Sequence, residues 1–568
     1  MKVQSRKLSL SLCAFVVGLA LVTGAPWVHA ASFRPEKSVD GAVIATSKFA
    51  TEAGMQVLRT GGNAVDTAVC VAYTMAVTHP VAGNLGGGGF AVIRTADGKI
   101  YSLDFREMAP GQATRNMYLD AAGNVVPKLS LDGYLAVGVP GTVAGMSAML
   151  ERFGTKKLSE LMQPAIQYAE KGFVVSARNA ETFKEHQPRL SKYASSRRYF
   201  LKPDGSTYRE GDLLVQKDLA KTLRAIAQRG PKAFYEGSIA DLIEKDMKAN
   251  GGIITKDDLK RYKPIWREPV RGNYRGYEIV SMGPPSSGGT HIIQMLNILE
   301  GFDLKAMGPN SASAVNVMAE AMRFAYADRS EFMGDPDFVK VPVDTLISKD
   351  YAERLRKRID PGKATPSNQV RPGTSFNKEG SNTTHYSVVD RWGNAVSITY
   401  TINDYYGSAA AVNGAGFLLN NEMDDFAIKP GVPNLYGLLG GDANAVEPYK
   451  RPLSSMSPTI VLKDNQVLMV VGSPGGPRII TTVMQVMLNV VDHGMTIREA
   501  VDAPRVHLQW IPDELRVEKN GLSADTAEKL AAMGYKIQVR ANMGDVNAIM
   551  VDSTNKVFLI ASDPRNEF

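Results

Sequence analysis

The sequence predicts a large fold that mixes helices and strands, and three of its features lead to that expectation. With 568 residues, the chain is long enough for two to four domains or for one large α/β body. Hydrophobic residues make up 44% and charged residues 22%, a balance typical of chains that fold around a core. Helical patterns alternate with short strands through residues 31–350, whereas residues 383–568 are richer in strands.

Helices are predicted where apolar residues recur every three to four positions. The main segments are Lys48–Thr60, Asn63–Val77, Thr142–Arg152, Lys217–Gln228, a helix beginning at Thr290, and Ser311–Ser330. Phe90–Thr95 and Ile100–Asp104 are predicted to form a β-hairpin. Tyr277–Ser281 is predicted to be a strand that leads into a Gly- and Pro-rich turn at 283–289.

A change of composition divides the chain near residue 382. Residues 361–382 are rich in Pro, Gly, Ser and Asn, and only Ala364, Val370 and Phe376 among them are apolar, which predicts a mobile linker. Strands are predicted after the linker, at His385–Asp390, Ala395–Thr401, Thr459–Leu462, Val467–Val471, Ala548–Val551 and Val557–Ser562. The boundary between the two regions falls at Asn382/Thr383.

Residues 1–30 have the pattern of a secretory signal peptide. Basic residues at the start are followed by the apolar stretch Leu8–Leu21 and by a cleavage site after Ala30, with Ala31 as the neighbouring choice. The apolar stretch is too short to span a membrane, and no later stretch approaches that length. We therefore expect secretion across the inner membrane to the periplasm or the extracellular space, with no membrane span after the leader is removed.

Several classes of function lack support in the sequence. Cys70 is the only cysteine outside the leader, so no internal disulfide can form, and its place in the apolar segment Ala64–Val77 predicts a buried thiol. The histidines form no close ligand pair, and the Gly-rich residues 83–89 lack the Lys-Ser/Thr of a phosphate-binding loop, so we expect no metal and no cofactor. Basic residues are scattered, and nucleic acid is not an expected partner.

The segment Asn-Thr-Thr-His-Tyr-Ser-Val-Val-Asp at 382–390 is the first candidate for chemistry. A Thr hydroxyl is a weak nucleophile without an adjacent base, but a Thr at a new N-terminus carries its own base, the free α-amine. Thr383, at the start of a strand after a linker, suits that arrangement. The alternative is that Thr-Thr-His-Tyr is an ordinary strand-forming sequence.

Six short blocks, taken together, make residues 40–568 resemble the γ-glutamyltranspeptidase family of N-terminal nucleophile hydrolases. The blocks are Asp-Phe-Arg-Glu-Met-Ala-Pro (104–110), Gly-Pro-Pro-Ser-Ser-Gly-Gly (283–289), Thr-Thr-His-Tyr-Ser-Val-Val-Asp (383–390), Asn-Asn-Glu-Met-Asp-Asp-Phe (420–426), Arg-Pro-Leu-Ser-Ser-Met-Ser-Pro (451–458) and Gly-Ser-Pro-Gly-Gly (472–476). The resemblance implies an α+β fold, a four-layer αββα sandwich built from two fragments of one chain.

The same resemblance implies that the chain cuts itself between Asn382 and Thr383. It would leave a large subunit, 31–382, and a small catalytic subunit, 383–568, which remain together as a heterodimer. Thr383 would be the nucleophile with its own α-amine as base, and Thr401 would hydrogen-bond to it. Gly475 and Gly476 match the oxyanion hole of the family.

The resemblance also assigns residues to a zwitterionic glutamyl head. Arg106, Ser454 and Ser455 match the positions that bind its α-carboxylate, and Asn403, Glu422 and Asp425 match those that bind its α-ammonium. The segment from Pro430 to Gly441, with Tyr436 near its centre, resembles the family's lid loop; the alternative is an ordinary surface loop. For Asp424 we expect a solvated turn, and for His385 a structural role rather than a Thr-His dyad.

The activity implied is γ-glutamyl transfer. Glutathione or another γ-glutamyl compound would donate the acyl group, and water, an amino acid or a peptide would accept it. A cephalosporin (glutaryl) acylase on the same fold is the alternative among enzymes. A periplasmic binding protein is the alternative outside enzymes.

Overall fold

Two antiparallel sheets form the middle of the protein in the computed structural model, which describes residues 34–370 and 383–566. The first sheet has six strands in the order Gly41–Ala45, Thr384–Asp390, Ala395–Thr401, Gly88–Arg94, Ile100–Phe105 and Ile265–Arg267. The second has seven, in the order Glu36–Ser38, Val557–Ser562, Asn547–Asp552, Gln466–Val471, Thr459–Lys463, Tyr277–Ser281 and Val270–Tyr274. The predicted leader and Asn382 lie outside the described residues.

The two sheets face each other and helices cover their outer faces. Side chains alternate along a strand, so Ala42 and Ile44 point into the apolar layer between the sheets while Val43 points to the helices. Helix Ala64–Thr78 packs on the first sheet. The outer face of the second sheet shares its core with Gly288–Leu299, Ala312–Phe332 and Arg478–Val491. The predicted four-layer αββα sandwich is therefore confirmed, with strands from both sides of residue 383 in each sheet.

The remaining elements surround this sandwich. The other helices of the first half are Lys48–Arg59, Thr142–Phe153, Leu158–Leu161, Gln163–Lys171, Ala177–Leu190, Ala194–Phe200, Lys217–Arg229, Pro231–Tyr235, Ser238–Ala249 and Lys256–Arg261. Those further along are Leu304–Met307, Val343–Leu346, Lys349–Arg356, Ser367–Val370, Ile497–Asp502 and Ala524–Ala532. Two small sheets comprise Val506–His507 with Leu515–Glu518 and Ile537–Arg540, and Phe173–Val174 with Leu213–Leu214.

The predicted helices and strands are present, and their ends agree with the predicted ones or differ by one or two residues. Asn63 caps the second helix through its side chain rather than belonging to it, and Ser311 caps Ala312–Phe332 in the same way. The helix predicted from Thr290 begins at Gly288. Cys70 is buried and unpaired as expected, and burial raises the pKa of its thiol to about 12. In the two described ranges, no helix has the length and apolar character needed to cross a bilayer.

The predicted mobile linker needs a correction over its first ten residues, 361–370. Ser367 is buried; its backbone N–H donates to Asp513 at 2.9 Å and its hydroxyl to the Trp510 carbonyl at 2.6 Å. The Trp510 indole in turn donates to the Ser367 carbonyl at 3.0 Å, and Ala364 is also buried. These partners lie far along the chain, which is why composition alone did not reveal the anchorage. The rest of the predicted linker lies outside the described residues.

Candidate active site

Thr383 lies at the start of a central strand of the first sheet. Antiparallel pairing opposes Thr384 to Tyr400, which brings the end of the neighbouring strand, Thr401, beside Thr383. The two hydroxyl oxygens are 3.4 Å apart, and Thr401 Oγ1 also accepts the backbone N–H of Asn403 at 2.8 Å. Thr383 is only 7% exposed, so its hydroxyl is largely screened from water.

Thr383 opens onto a small cavity that collects most of the predicted site residues. The predicted residues that line it are Arg106, Thr383, Thr401, Asn403, Glu422, Asp425, Tyr436, Ser454, Ser455 and Gly476. They come from seven separate stretches of the chain. Their convergence on one cavity is the arrangement that the resemblance predicts, and Gly475 directly precedes the lining residue Gly476.

Arg106 is the central cation of this cavity. Its guanidinium donates to the carboxylates of Glu422 and of Asp425, the latter at 2.6 Å, and to the backbone carbonyls of Pro452 and Leu453. Burial disfavours the charge, but the carboxylates around it outweigh that effect and raise the pKa of Arg106. The guanidinium therefore stays charged, as binding of a substrate carboxylate requires.

Three carboxyl groups lie around the guanidinium of Arg106. Glu107 is fully buried, with Oε2 3.7 Å from Arg106 Nη1, and burial raises the pKa of its carboxyl to about 7. Burial likewise raises the pKa of Glu422 and of Asp425. Three carboxyl groups around one guanidinium form a site that favours an added ammonium group. Sequence reasoning did not assign Glu107 to the site, although it adjoins Arg106 in the chain.

Arg329 is a second guanidinium that sequence reasoning missed. It lines the cavity and donates to the hydroxyls of Ser287 at 3.0 Å and of Ser455 at 3.1 Å. Burial lowers the pKa of Arg329 to about 10, so it remains a cation near neutral pH. It lies near the end of helix Ala312–Phe332, where the sequence pattern gives no sign that one arginine faces a cavity rather than solvent.

The two predicted serines are held by the Gly- and Pro-rich turn at 283–289. The Ser454 backbone N–H donates to the Pro285 carbonyl, and the Ser287 N–H donates back to the Ser454 carbonyl, both at 2.9 Å. The Ser286 hydroxyl donates to the Met456 carbonyl at 2.6 Å. These hydrogen bonds from the turn fix the position of residues 454–456 at the cavity.

Gly475 and Gly476 lie just before the N-terminus of helix Arg478–Val491. Their carbonyls accept the N–H groups of Arg478 and Ile479, so the N-terminal end of the helix dipole points toward this corner of the cavity. Gly476 has a φ of +56°, and a Cβ there would lie 2.7 Å from the ring of Tyr436. Only glycine fits such a close approach, and the position suits donors to a developing oxyanion.

Tyr436 closes the cavity from the predicted lid. Its hydroxyl lies 2.6 Å from Asn403 Oδ1 and 2.7 Å from the Asn403 carbonyl, and its side chain is nearly fully buried. The lid is therefore closed over Asn403 in this structure. The role of the segment as a lid stays a prediction.

Asp424 requires a correction, because it is not a solvated turn residue. It is 3% exposed; one carboxylate oxygen accepts the Ser130 hydroxyl at 2.7 Å, and the other accepts the Leu435 N–H at 2.8 Å. Ser130 lies 294 residues away in the chain, and Leu435 belongs to the lid, 11 residues further on. Burial raises the pKa of Asp424 to about 7.

His385 is fully buried, and both of its ring nitrogens contact side chains other than Thr383. Its ring nitrogens lie 2.9 Å from the Thr399 hydroxyl and 3.0 Å from the Ser387 hydroxyl. Burial lowers the pKa of the ring to about 3, so it stays neutral at ordinary pH. These contacts fit the structural role expected for His385.

Replacing His385 by asparagine is expected to lower thermal stability without changing the chemistry. A hydroxyl network loses one partner, and space opens where the ring packs against Gly472. We expect the melting temperature to fall by several degrees, with the pH dependence of kcat/KM unchanged in the folded fraction. A displaced pH profile at unaltered stability would instead assign His385 to proton transfer.

Across residues 34–370 and 383–566, no group of three or more His, Cys, Asp and Glu side chains is arranged to hold a metal ion.

The chain that forms this cavity is similar to a known protein family and to known proteins. The family model described as Gamma-glutamyltranspeptidase matches residues 50–567. A glutathione hydrolase proenzyme of Escherichia coli (strain K12) is 53% identical over 535 residues, which cover 94% of this chain and 92% of that protein.

Two solved structures resemble the fold. The γ-glutamyltranspeptidase of Helicobacter pylori is 58% identical with a TM-score of 0.58, covering 61% of this chain and 99% of that one. A cephalosporin acylase from Bacillus halodurans is 28% identical with a TM-score of 0.84, covering 96% of this chain and 98% of that one. With a family match over nearly the whole chain and a relative at 53% identity, the chain belongs to the γ-glutamyltranspeptidase family.

Proposed function

We propose that this protein is a γ-glutamyltranspeptidase that also hydrolyses glutathione, with Thr383 as its nucleophile. One observation carries the proposal: Thr383 shares a single cavity with Arg106 and with the carboxylates of Glu422 and Asp425. A nucleophile and a site for a zwitterionic head are thus combined at one place. Family membership favours an enzyme over a periplasmic binding protein, and that alternative is not retained.

The proposed recognition uses both signs of charge around Arg106. The α-carboxylate of a γ-glutamyl donor pairs with Arg106 and accepts the hydroxyls of Ser454 and Ser455. The α-ammonium donates to Asp425, Glu422 and Asn403, beside the carboxyl groups that surround Arg106. Since Arg106 is in contact with Glu422 and Asp425, the two charges of the donor are received side by side.

The proposed reaction proceeds through an ester on Thr383. The α-amine of Thr383 takes the hydroxyl proton as Oγ1 attacks the γ-carbonyl carbon, and the backbone N–H groups at Gly475 and Gly476 stabilise the oxyanion. The C–N bond then breaks as the ammonium returns the proton to the leaving amine, which is cysteinylglycine when glutathione is the donor. Water or an acceptor amine attacks the ester, gives its proton to the α-amine and releases the Thr383 hydroxyl.

We further propose that the free amine arises by self-cleavage between Asn382 and Thr383. The fragments, 31–382 and 383–568, would remain together because each sheet contains strands from both. The name proenzyme carried by the E. coli relative supports this proposal. So does the H. pylori chain, whose whole length matches 61% of this chain, close to the share taken by residues 31–382.

The cellular location is proposed from the leader alone. A basic start, a short apolar stretch and a cleavage site near Ala30 support export to the periplasm or beyond. Acceptor amino acids and peptides for the transfer reaction would then be extracytoplasmic.

A cephalosporin acylase activity is the second candidate, and the likeness to the B. halodurans structure favours it. Its glutaryl donor lacks the α-ammonium, which leaves the carboxylates at the cavity without their expected partner. The 28% identity with that acylase, against 53% with the glutathione hydrolase proenzyme, also supports the transpeptidase.

The proposal is tested with a chromogenic γ-glutamyl anilide, assayed with and without a dipeptide acceptor. We expect release of the anilide in both cases and a faster release with the acceptor, because an amine competes with water for the ester. The purified protein must first be shown to be cleaved. A cleaved, folded protein that releases no anilide under either condition contradicts the proposed function.

A further inference from the structure

The central part of the lid, residues 434–438, is fixed by hydrogen bonds on several sides. Two of its partners belong to the cavity itself: Asn403 contacts the Tyr436 hydroxyl, and Asp425 accepts the Asn434 amide at 3.2 Å. Two others lie outside the predicted substrate contacts. Gln509 donates to the Tyr436 carbonyl at 3.2 Å, and Asp424 accepts the Leu435 N–H at 2.8 Å.

Asp424 is the charged member of this set. A carboxylate that accepts a backbone N–H makes a stronger hydrogen bond than a neutral acceptor, and this one is removed from competing water. The Ser130 hydroxyl donates to its other oxygen at 2.7 Å, so both oxygens of the carboxylate have partners. Asp424 thus connects the body of the protein to the lid backbone without entering the substrate cavity.

The turn that carries Asp424 also carries the residues proposed to receive the donor ammonium. Glu422–Asp425 is a single 3-10 turn, so Asp424 and Asp425 are adjacent and point to different partners. A donor that settles against Asp425 therefore steadies the same turn that holds Leu435. Donor binding and lid closure therefore both depend on the 3-10 turn Glu422–Asp425.

We propose that Asp424 is a positioning residue that keeps the lid closed over the acyl-enzyme by accepting the Leu435 N–H, and that it thereby limits hydrolysis in favour of transfer. Water reaches an acyl-enzyme more freely when a covering segment opens, since the segment excludes it while closed. This inference rests on the proposed function for its second half only. Its first half, that Asp424 keeps the lid closed, rests only on the hydrogen bond from the turn to Leu435.

The strength of the hydrogen bond from the Leu435 N–H to Asp424 depends on the charge of the Asp424 carboxylate. Burial makes that charge sensitive to pH near neutrality, because it raises the pKa of the carboxyl. Because its pKa is raised to about 7, the neutral form prevails below that pH, and a neutral carboxyl is the weaker acceptor for Leu435. The other groups that face it are the carboxyls of Asp425 and Asp404, whose charges raise its pKa further, and the hydroxyls of Ser130, Tyr118 and Tyr436. The hold on the lid therefore weakens as pH falls through about 7.

The test measures lid opening directly, by limited chymotrypsin cleavage of the purified, processed protein within residues 435–439. Cleavage is followed by mass spectrometry of the new termini and normalised to protease activity at each pH. We expect Asp424→Ala to be cleaved there about tenfold faster than wild type, and to give a several-fold larger ratio of hydrolysis to transfer. Ser130→Ala is the matched control, because it removes the other partner of Asp424 and leaves the Leu435 bond; less than a twofold change is expected.

Asp424→Asn separates charge from shape. Its amide oxygen still accepts the Leu435 N–H, so the variant is expected to fold like wild type with an intermediate cleavage rate. The wild-type rate should rise as pH falls from 8 to 6, whereas that of Asp424→Asn should stay flat. Equal lid cleavage in wild type and Asp424→Ala, or the same pH dependence in wild type and Asp424→Asn, overturns the proposal. Proteolysis needs no turnover, so its outcome is independent of whether the proposed activity is found.

Discussion

Replacing Thr383 by alanine is expected to leave the protein as one uncut chain with no detectable γ-glutamyl transfer. Without the Thr383 hydroxyl, nothing attacks the Asn382 carbonyl, no ester forms and no α-amine is released. The same hydroxyl is the proposed nucleophile for the donor, so processing and turnover disappear together. Loss of a nucleophile in a site of this kind lowers kcat by about 10⁴-fold or more.

Electrophoresis and N-terminal sequencing measure the result. Wild type should give bands of about 38 and 20 kDa, obtained by scaling the 61.5 kDa of the whole chain by residue number. The smaller band should begin Thr-Thr-His-Tyr. Thr383→Ala should give a single band.

The adjacent threonine supplies a matched control. Thr384 is buried and its hydroxyl lies 3.3 Å from that of Thr46, away from Thr401. Thr384→Ala should therefore still be cut, with some loss of stability. Thr383→Ser keeps a hydroxyl and should be cut more slowly. If Thr383→Ala splits at the same bond as wild type, another group cleaves the chain and Thr383 is not the nucleophile for processing.

Local patterns were sufficient for much of the fold. Alternation of side chains along Thr384–Asp390 and Ala395–Thr401 fixes which face each strand buries, and a short turn at 391–394 pairs the two strands. The order of strands within each sheet was not available from such patterns. Gly41–Ala45 pairs with a strand more than 300 residues later, and only the family resemblance pointed to that kind of sandwich.

The site was predicted to the extent that its residues lie in recognisable blocks. Arg106, Glu422 and Ser454 each belong to one, and the structure places all three at the same cavity. Arg329 lies in a long helix with no distinguishing neighbours. Asp424 was assigned to solvent because its two partners, one 294 residues away, are supplied only by the tertiary fold.

The preference for γ-glutamyl over glutaryl donors is expected to depend on Asp425. A glutaryl group has hydrogen where the γ-glutamyl group has its α-ammonium, so it leaves Glu422 and Asp425 with Arg106 but without the ammonium partner that a γ-glutamyl donor supplies. An unsatisfied buried charged group costs about 2–5 kcal/mol, which corresponds to tens- to thousands-fold in kcat/KM. Wild type should therefore strongly prefer the γ-glutamyl donor.

Asp425→Asn tests this preference with little change of shape. The amide oxygen can still accept from Arg106 Nη2, which lies 2.6 Å from the native carboxylate, but the negative charge that attracts the ammonium is gone. We expect kcat/KM for the γ-glutamyl donor to fall by about a hundredfold. The value for the glutaryl donor should change little, so the preference narrows.

Arg106→Ala should reduce turnover of both donors, because the free carboxylate of a glutaryl group lies where the γ-glutamyl donor has its α-carboxylate, and the guanidinium can receive either one. The change also leaves the buried carboxyls of Glu107, Glu422 and Asp425 without their cation, so loss of stability must be separated from loss of binding. Arg106→Lys serves that purpose: it keeps the charge but not the forked geometry, and should raise KM for the γ-glutamyl donor in a protein that melts close to wild type.

The decisive measurement compares kcat/KM for the two donors across wild type, Asp425→Asn and Arg106→Lys. A transpeptidase site requires that Asp425→Asn reduce γ-glutamyl turnover far more than glutaryl turnover, since the ammonium absent from the second donor is the group that Asp425 receives. Arg106→Lys should reduce turnover of both donors, because they share the terminal carboxylate. Equal use of both donors by wild type would contradict the transpeptidase and favour the acylase. It would also mean that the carboxyl groups around Arg106 serve the stability of the cavity rather than the choice of donor.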